Sequence, residues 1–236
     1  MNLDKLFRSA ADGRRPSDGF FVVFMRTILQ HPEILSWHTL WNDSYHEVRS
    51  ELYGTAKSIA PRKPFGFHMV QNITFSPFYS AIDDYAKIAD YSDFLKIATY
   101  NNAGGPRMAH FLDRLCLTIF ADATQSDLQP IYYKMMGYKE KEIHQIVTDG
   151  LSSEYVASET LRAITGTGHK VQIYPGIDID VPTAPEEKRT KPDDVRSAVK
   201  AALKAGADGV VLSREYHEMW LANLSAAGET LREVLR

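Results

Sequence analysis

The sequence predicts an α/β protein in which about four parallel strands, with flanking helices and a helical insertion, form part of a (β/α)8 TIM-type barrel. Strand-like and helix-like segments alternate, and the strand-like segments are apolar nearly throughout, as in parallel sheets covered by helices. The segment KAALKAGADGVVLS at 200–213 is similar to the helix-to-strand passage near the end of many barrels. A complete barrel needs roughly 250 residues. Four strands in 236 residues therefore indicate half a barrel, in a single domain over 1–236, or else some of the segments assigned below to helices are strands.

Composition and charge exclude several classes of protein. The chain is 44% hydrophobic and 24% charged, as in globular proteins that bury a core. Its net charge of −3 gives no electrostatic reason to expect nucleic acid or an anionic membrane as a partner. The N-terminal segment lacks the apolar region of a signal peptide, and no run approaches the ~18 apolar residues of a membrane span, so we expect a cytoplasmic protein. A lone cysteine, Cys116, excludes an internal disulfide and a cysteine-rich metal site, and we expect no cofactor.

Two helices are predicted before the first strand. The segment FFVVFMRTILQ at 20–30 follows a loop at 11–19 and suits a buried helix, although its β-branched and aromatic residues would also suit a strand. Pro32 opens a long amphipathic helix, which ends at APRKP. Its apolar residues, at steps of three, four or seven, are Ile34, Trp37, Trp41, Tyr45, Val48, Leu52 and Ile59. We expect Trp37 and Trp41, which lie one turn apart, to belong to the core.

Strands and helices alternate in the rest of the chain. Strands are predicted at 65–70, 94–100, 170–180 and 209–213. Helices are predicted at 77–90 and 193–205, the latter ended by Gly206, and a final helix follows the last strand. The segment NNAGGP at 101–106 is predicted to be a loop, and 106–165 a helical insertion with breaks near Gly137 and Gly150.

Polar side chains gather where the four predicted strands end. The carboxyl ends of parallel strands, with the loops after them, form the ligand site in α/β folds. We therefore expect the site to contain His68, Asn72, Tyr100, Asn101, Asn102, Tyr174, Asp178, Asp180, Arg214, Glu215 and Tyr216. The amides after the second strand suit the hydroxyl groups of a sugar, and the glycines beside them allow close approach of the backbone. The same glycines also suit a turn that needs left-handed residues.

Asp178 and Asp180 are the strongest candidates for catalysis. In an extended strand they share one face, opposite Ile177 and Ile179, and we expect both carboxylates to turn toward the mouth of the barrel. A carboxylate pair can divide acid and base roles, as in glycoside hydrolysis, or hold a divalent cation. Alternatively, the two aspartates cap the following turn or pair with Arg189 in solvent.

The segment SREYHE after the fourth strand offers a reserve acid. Glu215 could act as a catalytic carboxylate, with Arg214 as a substrate clamp and Tyr216 as a hydrogen-bond partner of an acid. Glu215 could instead lie in the first turn of the final helix, where the macrodipole favours it. His68 is expected to line the barrel rather than bind a metal, and no HxH or HExxH spacing predicts a metal site.

A resemblance extends over nearly the whole chain. The segments HPEILSW, NITFSPF, YSDFLK, YNNAGGPR, IYPGIDIDVPT and GADGVVLSREY resemble bacterial glycoside-hydrolase-like TIM-barrel proteins, in the latter half of their length. In similar retaining barrel glycosidases the acid/base follows the fourth strand and the nucleophile, commonly Glu, follows the seventh. The resemblance implies that the strand IYPGIDID is the seventh, so that Asp178 lies nearest the nucleophile position, and that the strands before the fifth are missing.

These inferences predict a carbohydrate-active, glycosidase-like hydrolase, inactive as an isolated half. Asp178 and Asp180 would be catalytic, Glu215 the reserve acid, and the other strand-end residues would bind the carbohydrate substrate. One alternative is a divalent-metal barrel lyase or aldolase that uses the same three carboxylates. Another is a non-catalytic module that binds sugar or completes the barrel of a partner. Because an open sheet has unpaired edges, we expect a homo-oligomer or pairing with a missing N-terminal half-barrel.

Overall fold

A computed structural model describes residues 18–234, and its centre is a single parallel sheet of four strands. The strands are β1 (Gly66–Met69), β2 (Phe94–Ala98), β3 (Gln172–Asp178) and β4 (Val211–Ser213). They lie side by side in chain order, and each neighbouring pair is parallel. The α/β class and the parallel pairing predicted from the apolar strand segments are confirmed.

Eleven α-helices surround the sheet in this part of the chain. They are α1 (Phe20–Gln30), α2 (Glu33–Ile59), α3 (Asn72–Phe75), α4 (Pro77–Ile82), α5 (Tyr85–Ala89), α6 (Asn101–Cys116), α7 (Gln125–Met136), α8 (Ile143–Asp149), α9 (Ser153–Gly166), α10 (Pro192–Lys204) and α11 (Leu221–Val234). None of the described helices combines the length and apolar content needed to cross a membrane. The loop predicted at 11–19 lies almost wholly outside the described residues.

Capping side chains divide the helix predicted at 77–90 into α4 and α5. Ser76 Oγ accepts a hydrogen bond from Tyr79 N (3.5 Å) at the start of α4. Asp84 Oδ1 accepts one from Ala86 N (2.9 Å) at the start of α5. The backbone of Asp84 is extended (φ −71°, ψ 107°), so a continuous helix is interrupted there.

The helices bury one face of the sheet. Leu95 and Ile97 of β2 and Ile173 and Ile177 of β3 point to this face and are at most 3% exposed. Burial of each such side chain stabilises the fold by about 1.5–3 kcal/mol. Because side chains alternate along a strand, the residues between them point to the opposite face.

The segment predicted as a loop at 101–106 begins α6, so that prediction was wrong. Gly104 and Gly105 serve packing there rather than a turn. A Cβ atom at Gly105 would lie 1.9 Å from the carbonyl oxygen of Ile146 in α8, and one at Gly104 would lie 2.9 Å from Leu151 Cδ1. Because glycine has no Cβ atom, the backbone of α6 can contact the backbone of α8 directly. The start predicted for the helical insertion, residue 106, falls inside α6.

Helix α2 packs on the rest of the protein through polar side chains. Its buried residues are His46 and Arg49, and the His46 ring hydrogen-bonds the hydroxyl of Tyr91. Trp37 and Trp41 are 59% and 47% exposed, so the expectation that they belong to the core was wrong. The apolar stripe that predicted this helix faces away from the described core.

Candidate functional site

The face of the sheet opposite the helices carries polar and aromatic side chains. His68, Lys96 and Tyr174 are register partners on β1, β2 and β3. The rings of Phe94 and Tyr174 meet edge to face, with 5.8 Å between their centroids. Val211 of β4 is 38% exposed on the same side. We call this surface, formed by these five residues, the open face.

Tyr100 covers the carboxyl end of the open face. The ammonium group of Lys96 hydrogen-bonds the Tyr100 hydroxyl, which donates to Ser213 Oγ (3.2 Å). A Cβ atom at Gly176 would lie 2.7 Å from Lys96 Cε and 3.0 Å from Tyr100 Cε1. Glycine at this position of β3 therefore lets both side chains cross the strand and reach β4.

His68 lies at one edge of the open face. Loss of hydration, together with the charge of Lys96, lowers the pKa of its ring below the ordinary value. The imidazole is therefore neutral at pH 7, with one nitrogen as a donor and the other as an acceptor. It can hydrogen-bond a hydroxyl group in either direction.

Asp178 ends β3 as a buried carboxyl group with 0% exposure. Its Oδ2 accepts a hydrogen bond from Ala103 N (2.7 Å) and its Oδ1 accepts one from Asn102 Nδ2 (3.2 Å), both in the first turn of α6. Burial raises the pKa of Asp178 to about 7, although these two hydrogen bonds and the charge of Arg107 lower it. Near neutral pH the group is therefore divided between its acid and carboxylate forms.

The two asparagines expected to bind substrate are buried in the protein. Asn102 holds Asp178, as described, and Asn101 Nδ2 donates to the carbonyl oxygen of Leu151 (3.2 Å). Both residues belong to α6, whose first turn is buried between the sheet and α8. Their amide groups fix the strand end to the helices in this structure.

Asp180 lies beyond the end of β3 and contacts a different part of the protein. Its Oδ2 accepts a hydrogen bond from Trp220 N (2.8 Å), and its carboxylate accepts two from Asn223 Nδ2 (3.1 and 3.2 Å). The structure does not bring Asp178 and Asp180 to a shared face, because β3 ends at Asp178 and the alternation stops there. Asp180 anchors the start of α11.

Replacing Asn223 with alanine is expected to destabilise the protein by about 2–3 kcal/mol. The buried amide of Asn223 also donates to the carbonyl oxygens of Ile179 (3.0 Å) and Thr190 (3.3 Å), so the variant leaves several acceptors without a donor. Urea denaturation measures the effect. Asn72→Ala, which removes an exposed amide, is the control, and equal midpoints for the two variants would contradict the prediction.

The residues after β4 lie at the surface. Arg214 Nε is 3.7 Å from Glu218 Oε2, and His217 Nδ1 is 3.7 Å from Glu215 Oε2. A 3-10 turn at Tyr216–Glu218 precedes α11, so Glu215 is not in the first turn of the final helix. Its carboxylate is exposed. The side chain of Tyr216 lies outside the described part of the structure.

Asn72 lies apart from the other predicted residues, in an open cavity of about 490 Å³ between α3, α4 and α6. The cavity is also lined by Arg107, His110 and Arg114, which are not among the site residues predicted from the sequence. They lie in the segment 106–165 that was predicted to be helical, so their spacing of three and four residues was a signal that they share one helical face. Lys96 was missed as well, although a lysine within the apolar strand FLKIATY was a signal.

A divalent metal would need oxygen or nitrogen ligands that converge on one point. Within residues 18–234, no group of three or more His, Cys, Asp or Glu side chains is arranged to hold a metal ion. Asp178, Asp180 and Glu215 have separate partners, so the ligand set imagined for a metal-dependent lyase or aldolase is not assembled in this structure.

The chain was compared with family models, curated proteins and solved structures. No family model, curated protein or solved structure matches the chain. The features of the protein that bear on its function are the open face, the buried Asp178 and the cavity beside α6.

Proposed function

We propose that the chain is half of a (β/α)8 barrel that binds carbohydrate on its open face once a second half-barrel closes over it. The observation that carries this proposal is the asymmetry of the sheet. One face is packed with aliphatic side chains under helices, whereas the other presents histidine, lysine and aromatic side chains.

The strand arrangement supports the half-barrel part of the proposal. In a (β/α) barrel the strands are parallel, follow one another in chain order and carry their helices on the outside. The four strands here have these properties, and within residues 18–234 β1 and β4 each pair with one strand only. Their free edges suit pairing with four more strands, supplied by a second copy or by another polypeptide.

The side chains of the open face support carbohydrate as the ligand. Sugar rings present apolar C–H faces and hydroxyl edges, so they suit sites that combine aromatic rings with hydrogen-bonding groups. Phe94, Tyr174 and Tyr100 supply the rings, and neutral His68 and charged Lys96 supply the hydrogen-bonding groups. The resemblance to glycoside-hydrolase-like barrels points to the same class of ligand.

Hydrolysis is the second candidate, and the protonation of Asp178 favours it. A general acid works best when its pKa lies near the working pH, and burial raises the pKa of Asp178 to about 7. Exposed Glu215 would supply the second carboxylate, while Asp180 would position α11. Because Asn102 and Ala103 enclose Asp178, we expect turnover only in the completed barrel, where Asp178→Asn would abolish it.

Replacing Tyr174 with alanine is expected to weaken carbohydrate binding about tenfold, because an aromatic contact contributes about 0.5–1.5 kcal/mol beyond the area it buries. Isothermal titration with a panel of gluco-, galacto- and xylo-oligosaccharides measures the change. Tyr45→Ala, which removes an exposed ring of α2 away from the open face, is the matched control.

The two parts of the proposal fail separately. Analytical ultracentrifugation over a range of protein concentrations, with and without sugar, shows whether the protein is a monomer or an oligomer when it binds sugar. If the monomer binds sugar and Tyr174→Ala abolishes that binding, the proposed closure of the barrel is wrong. The assignment of the open face as the sugar-binding surface is then supported. If no sugar in the panel binds in any association state, the carbohydrate assignment is wrong.

A further inference from the structure

The cavity beside α6 has the composition of an anion-binding site. Its volume of about 490 Å³ falls within the roughly 300–1,000 Å³ of small-molecule sites. Arg107, His110 and Arg114 project into it from α6, three and four residues apart on one face of the helix. Three nitrogen-bearing side chains therefore converge on one open space.

Within residues 18–234 neither arginine forms an ion pair with a carboxylate, although the charge of Arg107 acts on the buried Asp178 and lowers its pKa. Arg107 Nη1 donates to Gln71 Oε1 (2.8 Å), an uncharged amide. Within residues 18–234, the guanidinium of Arg114 makes no hydrogen bond or ion pair with another residue. A carboxylate approaches the third side chain, since His110 Nε2 lies 3.6 Å from Glu187 Oε1. Two guanidinium groups thus remain available to a ligand.

The buried side chain of Gln71 holds Arg107 in position. Gln71 is 5% exposed, and its Nε2 donates to the Tyr100 carbonyl oxygen (2.7 Å) and to Tyr155 Oη (3.2 Å). These two bonds fix the orientation of the amide, so its oxygen is directed at the guanidinium. A preorganised arginine loses less conformational entropy when it binds a ligand.

We propose that this cavity binds a small organic anion whose phosphate or carboxylate group pairs with Arg107 and Arg114. Guanidinium groups bind the oxygens of both anions in pairs of parallel hydrogen bonds. The exposed ring of Tyr79 and the half-buried ring of Phe111 would contact the uncharged part of the ligand, and Asn72 would hydrogen-bond its polar groups. The site lies wholly within the described chain, so it does not depend on barrel closure or on sugar binding at the open face.

Titration calorimetry with four probes tests the assignment and identifies the anion. The probes are inorganic phosphate, glucose 6-phosphate, glucuronate and glucose, each at about 50 and 200 mM salt. We expect saturable binding of a probe that carries a phosphate or carboxylate group, and we expect this binding to weaken as the salt concentration rises. The probe that binds most tightly identifies the preferred anionic group. If glucose binds as well as the anions, or if no anion binds, the proposal is overturned.

Arg114→Gln is expected to weaken anion binding at least about tenfold, because it removes an exposed charge from the cavity. Arg107→Gln is expected to have a similar effect, and Arg114→Lys should restore part of the loss. Arg62→Gln removes another exposed arginine outside the cavity and is the control. Since the Arg114 guanidinium is exposed and makes no hydrogen bond or ion pair within residues 18–234, its variant keeps the test valid even if Arg107→Gln unfolds. An equal loss in Arg62→Gln would overturn the proposal.

Discussion

Replacing Gly105 with alanine is expected to lower the free energy of unfolding by about 3 kcal/mol. The added Cβ atom would lie 1.9 Å from the carbonyl oxygen of Ile146 and 2.9 Å from Gly150 Cα, both of which are backbone atoms that cannot rotate away. Helices α6 and α8 would have to separate, which would open the buried core between them. Urea denaturation measures this loss as a lower midpoint, with an unchanged slope of the unfolding free energy against urea concentration.

Gly54→Ala is the matched control for this change. Gly54 lies inside α2, and a Cβ atom there meets nothing within 4 Å. Alanine favours a helix interior over glycine by about 1 kcal/mol, so this variant is expected to be as stable as the natural protein or more stable. If Gly105→Ala unfolds at the same urea concentration as Gly54→Ala, the close contact of α6 with α8 is wrong.

Asp178→Asn is expected to remove a large pH dependence of stability. Burial raises the pKa of Asp178 from 3.8 to about 7, so the folded state binds this proton more tightly than the unfolded state. The stability that this group contributes is therefore fully present below about pH 4 and falls as the pH rises to about 7. Across that window the change is on the order of 4 kcal/mol for a shift of this size.

Denaturation midpoints measured from pH 4 to pH 8 test this expectation. Because asparagine stays uncharged and its oxygen can still accept from Ala103 N, Asp178→Asn should equal the natural protein near pH 4 and exceed it above pH 7. Asp178→Ala should also lose the pH dependence, but it should be less stable than Asp178→Asn by about 2 kcal/mol at every pH, since the buried Ala103 N–H then loses its acceptor. Parallel pH profiles for the natural protein and Asp178→Asn would refute the buried-acid assignment.

The strands could be predicted because local pattern and tertiary environment agree there. The segments around Leu95 and Ile177 are apolar runs between helices, and they form central strands of the sheet. Gly206, expected to end the helix before β4, has a positive φ of 98°, which glycine adopts without strain. Local sequence carried enough information for these elements.

The start of α6 could not be predicted from local sequence. Two glycines and a proline are the composition of a turn, and their helix propensity is the lowest of all residues. The helix forms there because Gly105 allows contact with α8 and because the Asp178 carboxyl group accepts the Ala103 N–H. Both partners are distant in sequence, so no window around residue 104 contains them.

The candidate site was predictable in position but not in its contacts. The sequence directed attention to the strand ends, where Tyr100 and Asp178 indeed lie. It could not reveal that Asp180 pairs with Asn223, 43 residues away, while Asp178 pairs with α6. Alternation along an extended strand suggested a carboxylate pair, and the end of β3 at Asp178 broke that alternation.

Gln71 gives the anion cavity and the open face a common element. Its amide oxygen accepts from Arg107 in the cavity, and its amide nitrogen donates to the backbone of Tyr100, whose ring lies over the strands. Each site can bind its ligand alone, but a ligand that displaced Arg107 would disturb the amide group that also holds the backbone of Tyr100. Any resulting cooperativity must be reciprocal, because each ligand then changes the affinity of the other by the same factor.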